Sequence, residues 1–164
     1  MIDSYPKLSR LLNLAKPYLK NNDFGVGHTE RVLKIAEKFQ IPIEIKELVS
    51  AAIILHDVGG SSIEDQYEKG PVIARKLLTI LKYDDNFIEE VCDIIKTHHS
   101  RLENPSKPFK ILYDSDQLVK FSEEESEYNK SLSGFEWNKI TENLYYENSK
   151  KLAAKMCEEV IQRK

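Results

Sequence analysis

A histidine and an aspartate stand side by side at the end of an apolar run, in the sequence Leu55-His56-Asp57-Val58-Gly59-Gly60. Both side chains bind divalent cations, and a carboxylate is rarely buried unless it is paired or coordinates a metal. The pair therefore predicts a metal site, provided that other parts of the chain supply further ligands. We expect these ligands to be His28 and Asp116.

Other residues of similar chemistry fall on the apolar faces of predicted helices. His28 lies four residues before Val32, so both lie on one face, and Arg31 is close enough to reach the same cleft. His98 and His99 continue the apolar stripe of a later helix. The spacing thus predicts that side chains from several helices meet in one cleft.

Asp116 lies four residues after Leu112, and Asp114 lies three residues after Ile111, so helical spacing alone does not choose between them as the fourth ligand. Two imidazoles and two carboxylates suit a borderline divalent metal such as manganese, iron, cobalt, nickel or zinc. Four protein ligands leave open positions on a six-coordinate ion, where a water becomes a nucleophile near neutral pH.

Apolar residues at helical spacing predict the elements that position these side chains. The predicted helices cover about 4–21, 27–40, 44–58, 70–81, 86–99, 109–121 and 138–162. No segment has the alternation typical of a strand. We predict an all-α helical bundle of six or seven helices. The segment 61–69 is predicted as a loop, and 122–134 as a solvated connection or a loop beside the site. Residues 121–137 are expected to form part of the cleft wall.

Composition limits the class of protein. The 164 residues are expected to form one domain over 1–164, with the candidate ligands in its core and a helical extension at about 138–162. The net charge of −3 argues against a stable nucleic-acid partner or a membrane-binding surface. The aromatic C-terminal region is compatible with a homodimer.

The chain is expected to be cytoplasmic. No apolar run approaches the roughly 20 residues that span a bilayer, and the N-terminus lacks the apolar core of a signal peptide. Cys92 and Cys157 are far apart and each lies in a helical pattern, so both are predicted to be reduced thiols.

Four motifs in order resemble the HD-domain superfamily of metal-dependent phosphohydrolases. They are His28-Thr29-Glu30-Arg31-Val32, Leu55-His56-Asp57-Val58-Gly59, Ile94-Ile95-Lys96-Thr97-His98-His99-Ser100 and Ile111-Leu112-Tyr113-Asp114-Ser115-Asp116-Gln117-Leu118. The last is similar to the closing D-A-D-x-L motif, with serine in place of alanine. The resemblance covers roughly residues 20–122.

The resemblance implies a set of roles. The metal ligands would be His28, His56, Asp57 and Asp116, since the second aspartate of the closing motif usually binds the metal in that family. Magnesium joins the metals expected above. The substrate would be a small phosphorylated molecule, a phosphate ester of a nucleotide or dinucleotide. Asp57 would be the catalytic carboxylate, which orients or deprotonates the attacking water.

One position departs from the two-metal members of this family. The segment Glu68-Lys69-Gly70-Pro71-Val72-Ile73-Ala74 resembles the H-G-P-V-x-A stretch of dinucleoside tetraphosphate hydrolases, with Lys69 where a histidine would stand. Lysine binds phosphate well and metals poorly. We therefore expect about one metal per chain, and substrate-phosphate contacts from Arg31, Lys69, His98 and His99.

Two alternatives remain open at this point. Some HD-domain proteins use two irons to activate oxygen, and such an oxygenase would need more metal ligands than the four expected here. A non-catalytic module would keep the metal and the nucleotide but release no phosphate.

Overall fold

The computed structural model describes residues 1–131 and 136–162. In this part of the chain there are ten α-helices, two 3-10 turns (Ile2–Ser4 and Val119–Phe121) and no β-strand, so the predicted all-α class is confirmed. The helices are α1 (Pro6–Leu19), α2 (Gly25–Ala36), α3 (Ile43–Leu55), α4 (Ile63–Glu68), α5 (Gly70–Ile80), α6 (Asp85–Ile95), α7 (Lys107–Leu118), α8 (Glu123–Ser131), α9 (Trp137–Asn143) and α10 (Glu147–Gln162).

The described residues contain more helices than the six or seven predicted, because two segments predicted as loops are helical. α4 begins after Ser62, whose hydroxyl accepts a hydrogen bond from the backbone N–H of Asp65 (3.1 Å). α8 begins after Ser122, whose hydroxyl accepts one from the backbone N–H of Glu125 (3.3 Å). A serine followed three residues later by an acidic residue is a helix-start signal, and both segments carry it.

Two further differences concern the C-terminal region. Extended backbone at Leu144 divides the predicted helix 138–162 into α9 and α10. Of the predicted cleft wall at 121–137, residues 132–135 lie outside the described residues. Both cysteines are free thiols, as predicted. No helix in the described ranges combines the length and the apolar character that a bilayer-crossing segment requires.

The central element is α3. Every residue from Leu48 to Leu55 is buried, and the helix contacts α1, α2, α6 and α7. A helix that is apolar all round belongs inside a bundle. Its C-terminal end therefore delivers His56 and Asp57 to a point that side chains of the neighbouring helices also reach.

The turn after α3 packs directly on the backbone of α4 and α5. A Cβ built on Gly59 would lie 2.5 Å from the carbonyl oxygen of Asp65, 2.7 Å from the nitrogen of Gly70 and 2.8 Å from Cα of Gln66. Since backbone atoms cannot move aside as a flexible side chain can, only glycine permits this close approach.

We expect Gly59→Ala to lower the free energy of unfolding by about 1–3 kcal/mol, because the added methyl group overpacks a rigid contact. Urea denaturation measures the effect. Gly70→Ala is the matched control: its Cβ would lie 3.9 Å from Ile95 Cδ1, an ordinary contact, and alanine favours a helix. Equal losses of stability in the two variants would contradict the close-packing argument.

Candidate metal centre

Three helices and the turn after α3 bring the candidate side chains together. His28 lies in the first turn of α2, and His56 and Asp57 directly follow α3. His98 and His99 follow the end of α6, and Asp116 lies in the second half of α7. Helix ends and a central turn thus supply the ligands.

The four predicted metal ligands form one cluster. Nε2 of His28 lies 3.1 Å from Oδ1 of Asp116 and 3.4 Å from Oδ2 of Asp57. Nε2 of His56 lies 3.3 Å from Oδ2 of Asp57 and 3.4 Å from Oδ1 of Asp116. The structure therefore brings these side chains within the reach of a single ion, whereas their binding of one stays a prediction.

Backbone carbonyl groups fix the orientation of two of the imidazole rings. Nδ1 of His56 lies 2.5 Å from the carbonyl oxygen of Ile53, and Nδ1 of His98 lies 2.7 Å from that of Ile95. A carbonyl oxygen can only accept, so Nδ1 of each ring carries a hydrogen that it donates. In the neutral imidazole Nε2 then carries the lone pair, which is the state that a metal requires.

These lone pairs have no partner among the described residues. His56 and His98 are 0% and 2% exposed, and neither Nε2 atom makes a hydrogen bond. A buried polar atom without a partner costs about 1–3 kcal/mol. A divalent cation at each atom would supply the missing partner, and the nitrogen and carboxylate donors suit a borderline metal. The residues present therefore fit a metal ion.

A second group of donors shares Asp57 with the first. Oδ1 of Asp57 lies 3.8 Å from Nε2 of His98, and ligand atoms of Asp57, His98 and His99 all lie within 4.8 Å of one another. Nε2 of His99 lies 2.5 Å from Oε1 of Gln66 and donates to it, so the lone pair of this ring is on Nδ1. Asp57 thus stands between two sets of nitrogen donors.

The carboxylates of the first group favour positive charge on its imidazoles. Burial opposes the protonation of His28, but its hydrogen bonds to Asp116 and Glu125 raise the pKa to about 11. Burial likewise opposes the charge on His56, while Asp57 and Asp116 raise its pKa. The pKa of Asp116 lies well below its usual value, because the two histidines outweigh the burial that would raise it. A divalent cation would take the place of such protons, and each imidazole would then bind it in its neutral form.

Asp114 and Asp116, between which helical spacing does not choose, have different neighbours in the structure. Asp114 accepts hydrogen bonds from the backbone N–H of Tyr145 (2.9 Å), that of Tyr146 (3.1 Å) and the hydroxyl of Ser149 (2.6 Å). These partners lie at the start of α10. Asp114 therefore faces the C-terminal helix, and Asp116 faces the histidines.

The two cations predicted to contact substrate phosphate are engaged elsewhere. Arg31 donates to Oε2 of Glu125 from Nε (3.0 Å), and its second guanidinium nitrogen lies 2.9 Å from the same oxygen. Lys69 pairs with Asp65 at 3.1 Å, and its side chain is 63% exposed. Lys69 does not line the cleft at the candidate centre. Its placement gives no support to the predicted phosphate contact.

Three residues at the site were not predicted from the sequence. The cleft has a volume of about 180 Å³, and Asn22, Lys120 and Glu125 line it together with the ligands His28 and Asp57. Asn22 donates to the backbone carbonyl oxygen of Asp57 (2.7 Å). Glu125 is buried, and it lies in the segment 122–134 that was predicted as a solvated connection or a loop beside the site. Its helix-start signal with Ser122 shows where α8 begins, but not which of its faces is buried.

Comparisons with known proteins agree with this arrangement. The model of the HD domain family matches residues 25–131. A solved structure described as a predicted HD superfamily hydrolase, from an uncultured Thermotogales bacterium, has a similar fold, with a TM-score of 0.70. That chain is 24% identical, and the match covers 96% of this chain and 88% of that one. No curated protein matches. Because the family match spans more than half of the sequence, the chain belongs to the HD domain family.

Proposed function

We propose that this protein is a metal-dependent phosphohydrolase that cleaves a phosphate ester of a nucleotide or dinucleotide. The observation that supports it best is the pair of buried, unpartnered Nε2 atoms of His56 and His98, both directed at the carboxylate of Asp57. A bound cation would give these lone pairs a partner, whereas an apolar interior gives them none and makes their burial costly.

In this proposal His28, His56, Asp57 and Asp116 hold one divalent ion of manganese, iron, cobalt, nickel, zinc or magnesium. A divalent ion bound there acidifies a water and polarises a phosphoryl oxygen near neutral pH. The sequence predicts about one ion per chain and phosphate contacts from His98 and His99. We keep the ion at the first donor group and withdraw the phosphate contact of His98, because a lone pair at its Nε2 repels a phosphate oxygen. The second donor group, made by Asp57, His98 and His99, is suited to a further divalent ion.

Asp57 is the catalytic carboxylate of the proposal. It borders both donor groups, and its side chain is 16% exposed, against 8% for that of Asp116. Its Oδ2 faces His28 and His56, while Oδ1 faces His98. A carboxylate in this position can orient a water in the cleft and accept its proton.

Lys120 is the residue that we propose for binding substrate phosphate. It is half-buried, lines the cleft and has no ion-pair partner in residues 1–131 and 136–162, where its ammonium donates to Oε1 of Gln117 at 3.2 Å. An ammonium group whose other N–H donors have no partner can bind phosphate as a point charge. Lys120 therefore replaces Lys69 and Arg31 in this role.

We expect Lys120→Ala to raise the KM for a phosphate ester about 10- to 100-fold, since a hydrogen bond to a charged group contributes about 1.5–3 kcal/mol and each 1.4 kcal/mol is a factor of ten. Initial-rate kinetics measure the effect. Lys69→Ala is the matched control and is expected to leave KM unchanged. The opposite result, a raised KM only in the Lys69 variant, would return the phosphate contact to the residue that the sequence predicts.

A phosphate-release screen tests the proposed function. The chain, purified without chelator, is supplied in turn with manganese, cobalt and nickel. Inorganic phosphate is measured for nucleoside monophosphates, and mononucleotide products are measured by chromatography for dinucleotides. Metal-dependent product formation, removed by a chelator and restored by the metal, supports the proposal. Tight nucleotide binding with no product under any metal would instead identify a non-catalytic binding module.

A second candidate, a two-iron oxygenase, is favoured by one observation. The ligand count predicted from the sequence was too small for two irons, but His98 and His99 add a second donor group at Asp57. Iron analysis together with oxygen-consumption measurements separates the two functions. Two irons per chain with oxygen uptake would favour the oxygenase, and phosphate release without oxygen uptake would exclude it.

A further inference from the structure

The glutamates at the start of α8 differ sharply in exposure. Glu123, Glu124 and Glu127 are exposed, whereas the side chain of Glu125 is 3% exposed. A buried carboxylate needs hydrogen-bond or charge partners to offset its loss of water. The partners of the Glu125 carboxylate are His28 and Arg31, which both lie on α2, and His28 is one of the candidate metal ligands.

Glu125 contacts the edge of the His28 ring that faces away from the other candidate metal ligands. Nδ1 of His28 lies 3.1 Å from Oε1 and 3.0 Å from Oε2 of Glu125, while Nε2 faces Asp116 at 3.1 Å. A carboxylate that accepts the Nδ1 hydrogen fixes the ring orientation and leaves the Nε2 lone pair for the metal. His56 and His98 have neutral carbonyl groups in the equivalent place, so His28 differs from them in having a charged partner.

The position of Glu125 is itself fixed from several sides. Its backbone N–H donates to Ser122, and its carbonyl oxygen accepts from the side chain of Asn129 (2.9 Å). Arg31 donates to Oε2. A Cβ on Gly27 would lie 2.8 Å from a guanidinium nitrogen of Arg31, so the glycine leaves room for this arginine. The result is a chain of contacts from Arg31 through Glu125 to His28.

We propose that Glu125 is a positioning residue, which holds His28 in the orientation and tautomer that bind the divalent ion, and that Arg31 holds Glu125 in place. The proposal rests on the metal site of the proposed function. It gives Arg31 a role away from the substrate. It also assigns α8, a segment outside the four motifs, to the support of the metal centre.

The test measures affinity for cobalt by competition with a chromophoric chelator. We expect Glu125→Ala to weaken cobalt binding about 10- to 100-fold, the usual effect of losing such a partner. Glu125→Gln keeps the shape and an acceptor oxygen, so its loss should be smaller. Glu127→Gln, an exposed residue on the same helix, is the control and should bind cobalt as the wild type does.

A double-mutant cycle separates positioning from a general effect on structure. In a His28→Ala background, Glu125→Ala should cause no further loss of cobalt affinity, since the ring that it orients is absent. Equal losses in both backgrounds, or wild-type affinity in both Glu125 variants, would overturn the proposal. If Glu125→Ala does not fold, the volume-matched Glu125→Gln in both backgrounds gives the same decision. A wild-type chain that binds no divalent ion would overturn the proposed function together with this proposal, whereas wild-type binding that Glu125 does not affect overturns this proposal alone.

Discussion

Replacing Asp57 with alanine is expected to remove the bound metal and to lower phosphate release by at least about 10³-fold. A metal ion supplies several kcal/mol of stabilisation to a phosphoryl-transfer transition state, and each 1.36 kcal/mol is a factor of ten in rate. We expect Asp57 to have the largest share in holding that ion, because its two oxygens face different groups of nitrogen donors: Oδ2 faces His28 and His56, and Oδ1 faces His98.

Mass-spectrometric metal analysis and a phosphate-release assay, on protein purified without chelator, measure both parts of the result. Asp93→Asn is the control, because Asp93 is exposed on α6 and outside the two donor groups. It should retain wild-type metal content and activity. An Asp57→Ala variant that keeps its metal and its rate would contradict the assignment of Asp57 as a ligand.

The metal content of the wild type also decides how many ions bind. The sequence predicts about one, because Lys69 stands where two-metal relatives carry a histidine. The structure places a second donor group at Asp57, made by His98 and His99. Helical spacing could place these two histidines on an inward stripe, but it could not give their distance from Asp57, which depends on how α6 packs against α3.

The fold and most of the four-residue cluster could be predicted from local patterns in the sequence. Apolar spacing marks helix faces, and it places His28, His56 and Asp57 at the inward edge of such a face. The choice of Asp116 over Asp114 came from the resemblance to the HD-domain family, because helical spacing does not separate the two. The supporting contacts could not be predicted in this way. Glu125 lies 97 positions from His28 along the chain, and only the packing of α8 against α2 brings them together.

The same limit applies to the charged residues around the cleft. Arg31 lies three positions after His28, and its spacing predicted a place in the same cleft. The structure gives the guanidinium a carboxylate partner in Glu125, whereas Lys120, outside every predicted role, lines the cleft. Whether a cationic side chain has an acidic partner depends on where the carboxylates of other helices lie. The pattern of a single helix does not predict this.

Asp114→Ala is expected to lower the free energy of unfolding by about 3–5 kcal/mol, because three donors lose their acceptor and each buried polar group without a partner costs about 1–3 kcal/mol. Asp114 is 0% exposed and accepts three hydrogen bonds from the start of α10. Burial raises the pKa of Asp114, and hydrogen bonds from Ser149, Tyr145 and Tyr146 oppose that rise. Loss of the carboxylate leaves two backbone N–H groups and one hydroxyl without an acceptor, which separates α10 from α7.

Urea denaturation of the metal-free protein measures this effect, and Asp114→Asn is the conservative comparison. The amide oxygen replaces one acceptor, but the amide nitrogen meets a donor, so this variant should lose less than the alanine variant. Asp116→Ala provides the contrast two positions along the same helix. We expect it to lose metal binding, whereas Asp114→Ala, once folded, should still bind the metal. If the Asp114 variant loses metal binding and the Asp116 variant retains it, the two roles are reversed. The metal ligand would then be Asp114, the first aspartate of the closing motif.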